Sequence, residues 1–147
     1  MIEKIGDRYS IKAETTVSAP IEEAWACFMD PAKSAEFFFG ISFVSDLKLG
    51  GPITWSGEWE GKAFKDTGII LELREPRLFR YDYFSNFSGE PDLPENHYEV
   101  AYSFEPVPGG VRIAISQSNA KTKEGAEHSE KNWRTMLEAI KKRLEAK

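Results

Sequence analysis

The sequence predicts an α+β domain in which a bent antiparallel sheet of about seven strands wraps one long C-terminal helix. Three observations predict it. From residue 41 to residue 117, apolar residues alternate at a period of two between Gly- and Pro-rich turns, the pattern of consecutive strands. From Lys123 to Ala146 an apolar stripe recurs at helical spacing. And 147 residues, 41% hydrophobic and 13% aromatic, suffice for one core, because chains of this size bury about 68–70% of their unfolded surface. No internal repeat or low-complexity linker divides the chain, so residues 1–147 are expected to form a single domain.

Taken in order, Tyr9, Ile11, Ala13, Thr15 and Val17 alternate with polar residues and predict a first strand with one face on a core. Ser18-Ala19-Pro20 opens a helix, with Glu22 and Glu23 at the positive end of its dipole. Ile21, Ala24, Trp25 and Phe28 give that helix an inward stripe, and Asp30-Pro31 breaks it before a second short helix over about Ala32 to Phe37. Ile41, Phe43, Ser45 and Leu47 alternate up to Gly50-Gly51, and Ile53, Trp55, Gly57 and Trp59 alternate up to Gly61, which predicts a hairpin. The next strands carry Thr67, Ile69, Leu71 and Leu73, ended by Glu75-Pro76, and then Phe79, Tyr81 and Tyr83. Tyr98, Val100, Tyr102 and Phe104 pair through a Pro-Gly turn with Val111, Ile113, Ile115 and Gln117. In the last helix Trp133, Met136, Leu137, Ile140 and Leu144 form the stripe, while Glu127–Lys131, Glu130–Arg134 and Glu138–Lys142 each place the acid four residues before the base.

Composition excludes several functions. Nineteen basic against 24 acidic residues give a net charge of −5, the wrong sign for a nucleic-acid partner. No apolar run approaches the roughly 20 residues that cross a bilayer, and the start Met1 to Arg8 lacks the apolar region of an export signal. The chain is expected in the cytoplasm, without membrane insertion. One cysteine, Cys27, excludes an internal disulfide and a CxxC site, and His97 and His128 have no metal-ligand spacing. No metal and no cofactor are expected.

Several segments together resemble a known family: Val17-Ser18-Ala19-Pro20-Ile21-Glu22-Glu23-Ala24-Trp25, the strand Gly68 to Leu73 leading to Glu75-Pro76 and Leu78, and Asn132-Trp133-Arg134-Thr135-Met136-Leu137. They are similar to the Hsp-90 ATPase activator homologue family of the START-like, Bet v 1-like (SRPBCC) superfamily, over about residues 9 to 146. The resemblance implies a helix-grip fold with an apolar ligand cavity between the long helix and the concave sheet. It also implies a second function, a protein-interaction module that regulates a chaperone ATPase. These motifs build a scaffold shared by unrelated activities, so they do not choose between the two.

The residues themselves bear on a cavity. Inward positions carry Trp55, Trp59, Phe79, Tyr81, Tyr83, Tyr98 and Tyr102, and the facing helix offers Trp133, Leu137 and Ile140. Aromatic walls with a few polar tips suit a small-molecule site, and the same groups also close a core; the sequence leaves both open. Phe37-Phe38-Phe39 cannot all face one core from a single element, so Phe37 or Phe38 is a candidate for a pocket mouth. The candidate ligand-binding residues are therefore Phe37, Phe38, Trp55, Trp59, Tyr81, Tyr83, Tyr102, Trp133 and Leu137, for a hydrophobic small molecule held by a monomer or homodimer. The long stretch Ser85 to Asn96, with Phe87 and Leu93, reads as a lid or as a solvated loop.

Enzyme chemistry finds no motif: there is no GxSxG, HExxH, P-loop or dinucleotide glycine pattern. Cys27 beside the apolar stripe reads as an inert buried thiol. A cyclase- or hydrolase-type cavity enzyme would need an acid or base among His97, Asp82, Glu58 and Tyr81. Alternation turns His97, Asp82 and Glu58 outward, so no catalytic residue is assigned.

Overall fold

A computed structural model describes residues 1–37, 41–59, 61–85 and 90–146, apart from the side chain of Trp59. The strands are β1 (Ile2–Ile5), β2 (Arg8–Val17), β3 (Phe43–Ser45), β4 (Pro52–Trp59), β5 (Lys62–Arg74), β6 (Leu78–Phe84), β7 (Tyr98–Val107) and β8 (Gly110–Ala120). The helices are α1 (Ile21–Met29), α2 (Pro31–Phe37) and α3 (Lys123–Glu145). All strands join one antiparallel sheet in the order β1-β2-β8-β7-β6-β5-β4-β3. This is the bent sheet around one long helix that the sequence predicts.

Two differences from the sequence reading have physical causes. The sheet has eight strands, because Ile2–Ile5 folds back on Arg8–Ile11 through a turn in which Gly6 adopts a positive φ of 65°. Only Ile2 of β1 is even half-buried, so no alternation marks it. In β5, the inward residues are Phe64, Asp66, Gly68 and Ile70, not Thr67, Ile69 and Leu71; Ile69 and Leu71 are 44% and 39% exposed. A bulge between Ile70 and Glu72 then inverts the phase, so that Leu73, opposite buried Phe79, returns to the core side.

The core lies between α3, α1 and the concave face. Val17, Val111, Ile113, Ile115 and Ile140 are fully enclosed. Met136, Leu137 and Ile140 carry the α3 stripe inward, each contributing about 1.5–3 kcal/mol through burial. Thr122 caps α3 by accepting the Gly125 N–H at 2.9 Å. On the outer face Glu130 pairs with Arg134 at 3.7 Å, and Lys141 with Glu145 at 3.0 Å. Glu145 also accepts the Ser18 N–H at 2.9 Å, which ties the end of α3 to the start of α1. The helix packs chiefly along β2, at one side of the concave face. The other side, formed by β4 to β7, meets α3 through long aromatic side chains, and the cavity lies there.

No helix of the described residues is long and apolar enough to cross a membrane. Among the described residues there is no cluster of three or more His, Cys, Asp or Glu able to hold a metal ion.

Candidate functional site: an aromatic cavity

Successive inward positions on β4, β5, β6 and β7 place Trp55, Asp66, Tyr81, Tyr83 and Tyr98 on one surface, because neighbouring strands pair Trp55 with Asp66, Ile70 with Tyr81 and Tyr83 with Tyr98. Opposite them α3 contributes Trp133 and Met136. Between lies a cavity of about 520 Å³, within the range of small-molecule sites. Exposed His128 and Asn132 stand at its rim on α3. The rings are mutually braced: Trp55 lies 5.2 Å from both Tyr81 and Tyr83, and Tyr83 lies 6.3 Å from Tyr98.

Polar groups are fixed within this apolar surround. Trp133 Nε1–H donates to Gln117 Oε1 at 2.8 Å, holding the indole against β8. The Tyr81 and Tyr102 hydroxyls share a buried hydrogen bond of 2.7 Å. Burial, with the neighbouring Tyr102 hydroxyl, holds the Tyr81 pKa well above its usual 10. Burial raises Tyr102 likewise. Both stay protonated and serve as dipoles rather than bases. Tyr102→Phe is expected to cost about 1–3 kcal/mol, since it leaves the Tyr81 hydroxyl buried without its partner. Adding Tyr81→Phe should recover much of that loss; a double variant as unstable as the sum of two independent losses, by urea unfolding, contradicts the pairing.

Tyr83 donates its hydroxyl to Asp66 Oδ2. Burial first, and then the Asp66 carboxylate, hold the Tyr83 pKa far above its usual 10. Asp66 is only 9% exposed, and its second oxygen, Oδ1, is buried with no hydrogen-bond partner among the described residues.

Residues 18–145 match a protein-family model described as "Activator of Hsp90 ATPase homolog 1-like protein". The chain belongs to that family. Among solved structures it is similar to ChR145 from Cytophaga hutchinsonii, with 40% identity over 99% of this chain and 96% of that one and a TM-score of 0.83. The Aha1 dimer from Colwellia psychrerythraea is 15% identical over 92% of this chain and 96% of that one, with a TM-score of 0.72. Ara h 8.0201 is 13% identical over 93% and 97%, with a TM-score of 0.71. At those two identities the likeness shows the fold alone, the Bet v 1-like helix grip. No curated protein matches the chain.

In this Hsp90 ATPase activator-like domain, four of the residues expected at a ligand site, Trp55, Tyr81, Tyr83 and Trp133, line the cavity together. Tyr102 and Leu137 are buried in the core behind it, Tyr102 meeting the cavity wall through Tyr81 and Trp133. Phe37 is 8% exposed and borders a separate cleft with Cys27, Arg143 and Leu144. It is displaced because α2 ends there, packed toward α3 through Glu36 and Arg143 at 3.2 Å. Phe38, Phe87 and the side chain of Trp59 lie outside the described residues. Cys27 is buried, and burial, opposed by Lys33, pushes its thiol up to about 11, which makes it a poor nucleophile.

The outward groups form their own cluster. His97 Nδ1 meets the Asp82 carboxylate at 2.7 Å and Nε2 meets Asp92, on the face away from the cavity. Around it, Asn119 Nδ2–H donates to the Glu95 and His97 carbonyls at 3.0 and 2.7 Å, and Glu90 pairs with Lys121. The described part of the 85–96 stretch is thus tied to β6 and the end of β8; of it, Ser85 lines the cavity, while Leu93 is 44% exposed. Burial pulls the His97 pKa down, but Asp92 and Asp82 outweigh it and hold it above 6.5. A raised folded pKa gives stability that is full below about 6.5 and lost as pH rises through the folded value. Thermal scans should therefore show a larger fall in Tm between about pH 5.5 and pH 8.5 for the native chain than for His97→Gln. Equal falls would show that the clamp carries no linked proton.

Sequence reasoning missed Asp66. It stands two positions from Phe64 and from Gly68, and that alternation was the available signal. The apolar residues Ile69 and Leu71 gave the opposite phase more weight.

Proposed function

We propose that this domain binds an apolar, aromatic small molecule between α3 and the sheet. The observation that carries the reading is the cavity of about 520 Å³ walled by Trp55, Tyr81, Tyr83, Tyr98 and Trp133. Core aromatics that merely packed against one another would leave no such volume. The fixed Tyr and Trp polar groups supply orientation, and the described residues that line the cavity include no Cys or Lys nucleophile. Binding, rather than turnover, is the activity that this arrangement supports.

The test is native mass spectrometry of the purified protein, followed by thermal shifts with aromatic metabolites. A ligand at 100 times its Kd adds about 2.7 kcal/mol of stability, which raises Tm by roughly 5–11 °C for a chain of this size. A co-purified mass or such a shift supports the reading; uniform silence across neutral and charged aromatics counts against it.

A second reading has an observation of its own. Val44, Leu49, Ile69 and Leu71 are exposed apolar residues on and beside β3 and β5, away from the cavity, at 72%, 70%, 44% and 39%. A protein partner, such as the chaperone ATPase in the family's description, would find its apolar contact there. The Colwellia structure is described as a dimer, so a homodimer through such a face belongs to the same test. Ile69→Lys with Leu71→Lys should abolish partner capture or dimerisation on this reading and leave small-molecule binding unchanged.

A further inference from the structure

We propose that the ligand is an organic cation, an ammonium group on an aromatic body, whose N–H donates to Asp66 Oδ1. The inference rests on the cavity being a ligand site and adds the class of ligand. Three observations meet at one place. First, the Asp66 carboxylate lines the cavity with one oxygen committed to the Tyr83 hydroxyl and the other buried without a partner among the described residues. A buried acceptor without a donor is costly, more so when charged, and a donor arriving with the ligand removes that penalty. Second, Trp55 stands directly across the ladder from Asp66 and packs against Tyr81 and Tyr83. The faces of such rings carry negative potential and attract cations. Third, the described residues that line the cavity include no Lys or Arg; the only basic side chain is the imidazole of His128 at the exposed rim. The carboxylate and the rings therefore act with the same sign, and nothing described in the wall balances them. A neutral hydroxyl would satisfy Oδ1 but would gain little from the rings.

Calorimetric titration with naphthylmethylammonium and with naphthylmethanol, alike in size, separates the possibilities in the native protein and in Asp66→Asn. The ammonium should bind the native protein at least about ten-fold tighter than the alcohol, a difference of about 1.4 kcal/mol. Asp66→Asn should bring the two within about two-fold, chiefly by weakening the ammonium, because the amide still accepts from Tyr83 but carries no charge. Equal binding of the two probes by the native protein overturns the inference and leaves the cavity reading standing. So does an ammonium preference that survives Asp66→Asn. If neither probe binds, the cavity reading falls and the inference with it. The native comparison does not depend on the variant folding.

Discussion

Replacing Gly68 by alanine is expected to lower Tm by about 6–12 °C, corresponding to roughly 3 kcal/mol. A Cβ at this position would stand 2.0 Å from the Asp82 carbonyl oxygen, 3.2 Å from its carbon and 3.4 Å from Ile53 Cγ2. The two closest neighbours are backbone, so no side-chain rotamer relieves the clash. Strand β5 would have to move away from β6, and with it Ile70 and Asp66 from the surface they share with Tyr81 and Tyr83. Gly109→Ala separates this cause from backbone conformation. Gly109 has a φ of 82° and open space where a Cβ would go, so its replacement costs only the left-handed penalty of about 1–2 kcal/mol. A Gly68→Ala variant that melts within 2 °C of the native protein would show that the strands are not as close as described.

Trp55→Ala is expected to remove ligand binding and about 3 kcal/mol of stability together. The indole is 8% exposed, pairs across the ladder with Asp66 and touches two tyrosine rings. It is therefore both a wall and a brace. Its stability loss should sit at the low end for a buried tryptophan, because one side already faces open volume. Trp55→Phe keeps a ring in place and should recover most of the stability, with binding weakened rather than abolished. Full binding by a folded Trp55→Ala protein would place the ligand elsewhere.

The parts of the fold that the sequence reveals are those with an unbroken period. The stripe Trp133, Met136, Leu137, Ile140 and Leu144 has no interruption, and α3 spans Lys123–Glu145 as that stripe implies. Alternation on β4, β6 and β7 correctly turns Trp55, Tyr81, Tyr83 and Tyr102 toward the helix. Where the period breaks, reading fails. The bulge in β5 reverses the phase after Ile70, and a uniform reading there hides Asp66, the group with the sharpest chemical consequence in the cavity. Strand β1 is short and largely exposed, so its pairing depends on the Gly6 turn rather than on a hydrophobic face. Whether aromatic side chains fill a core or wall a void depends on how far α3 stands from β5 and β6. That distance is set by the whole packing and by no local motif.

A small molecule held between α3 and the sheet must perturb the groups that line that space. A two-dimensional amide NMR titration with naphthylmethanol reads those groups one by one. Saturable shifts are expected at Trp55, Tyr81, Tyr98, Gln117 and Trp133, with the Trp133 indole N–H among the largest because its bond to Gln117 borders the cavity. Shifts confined to Val44, Ile69 and Leu71, or none at saturating concentration, would contradict binding in that space.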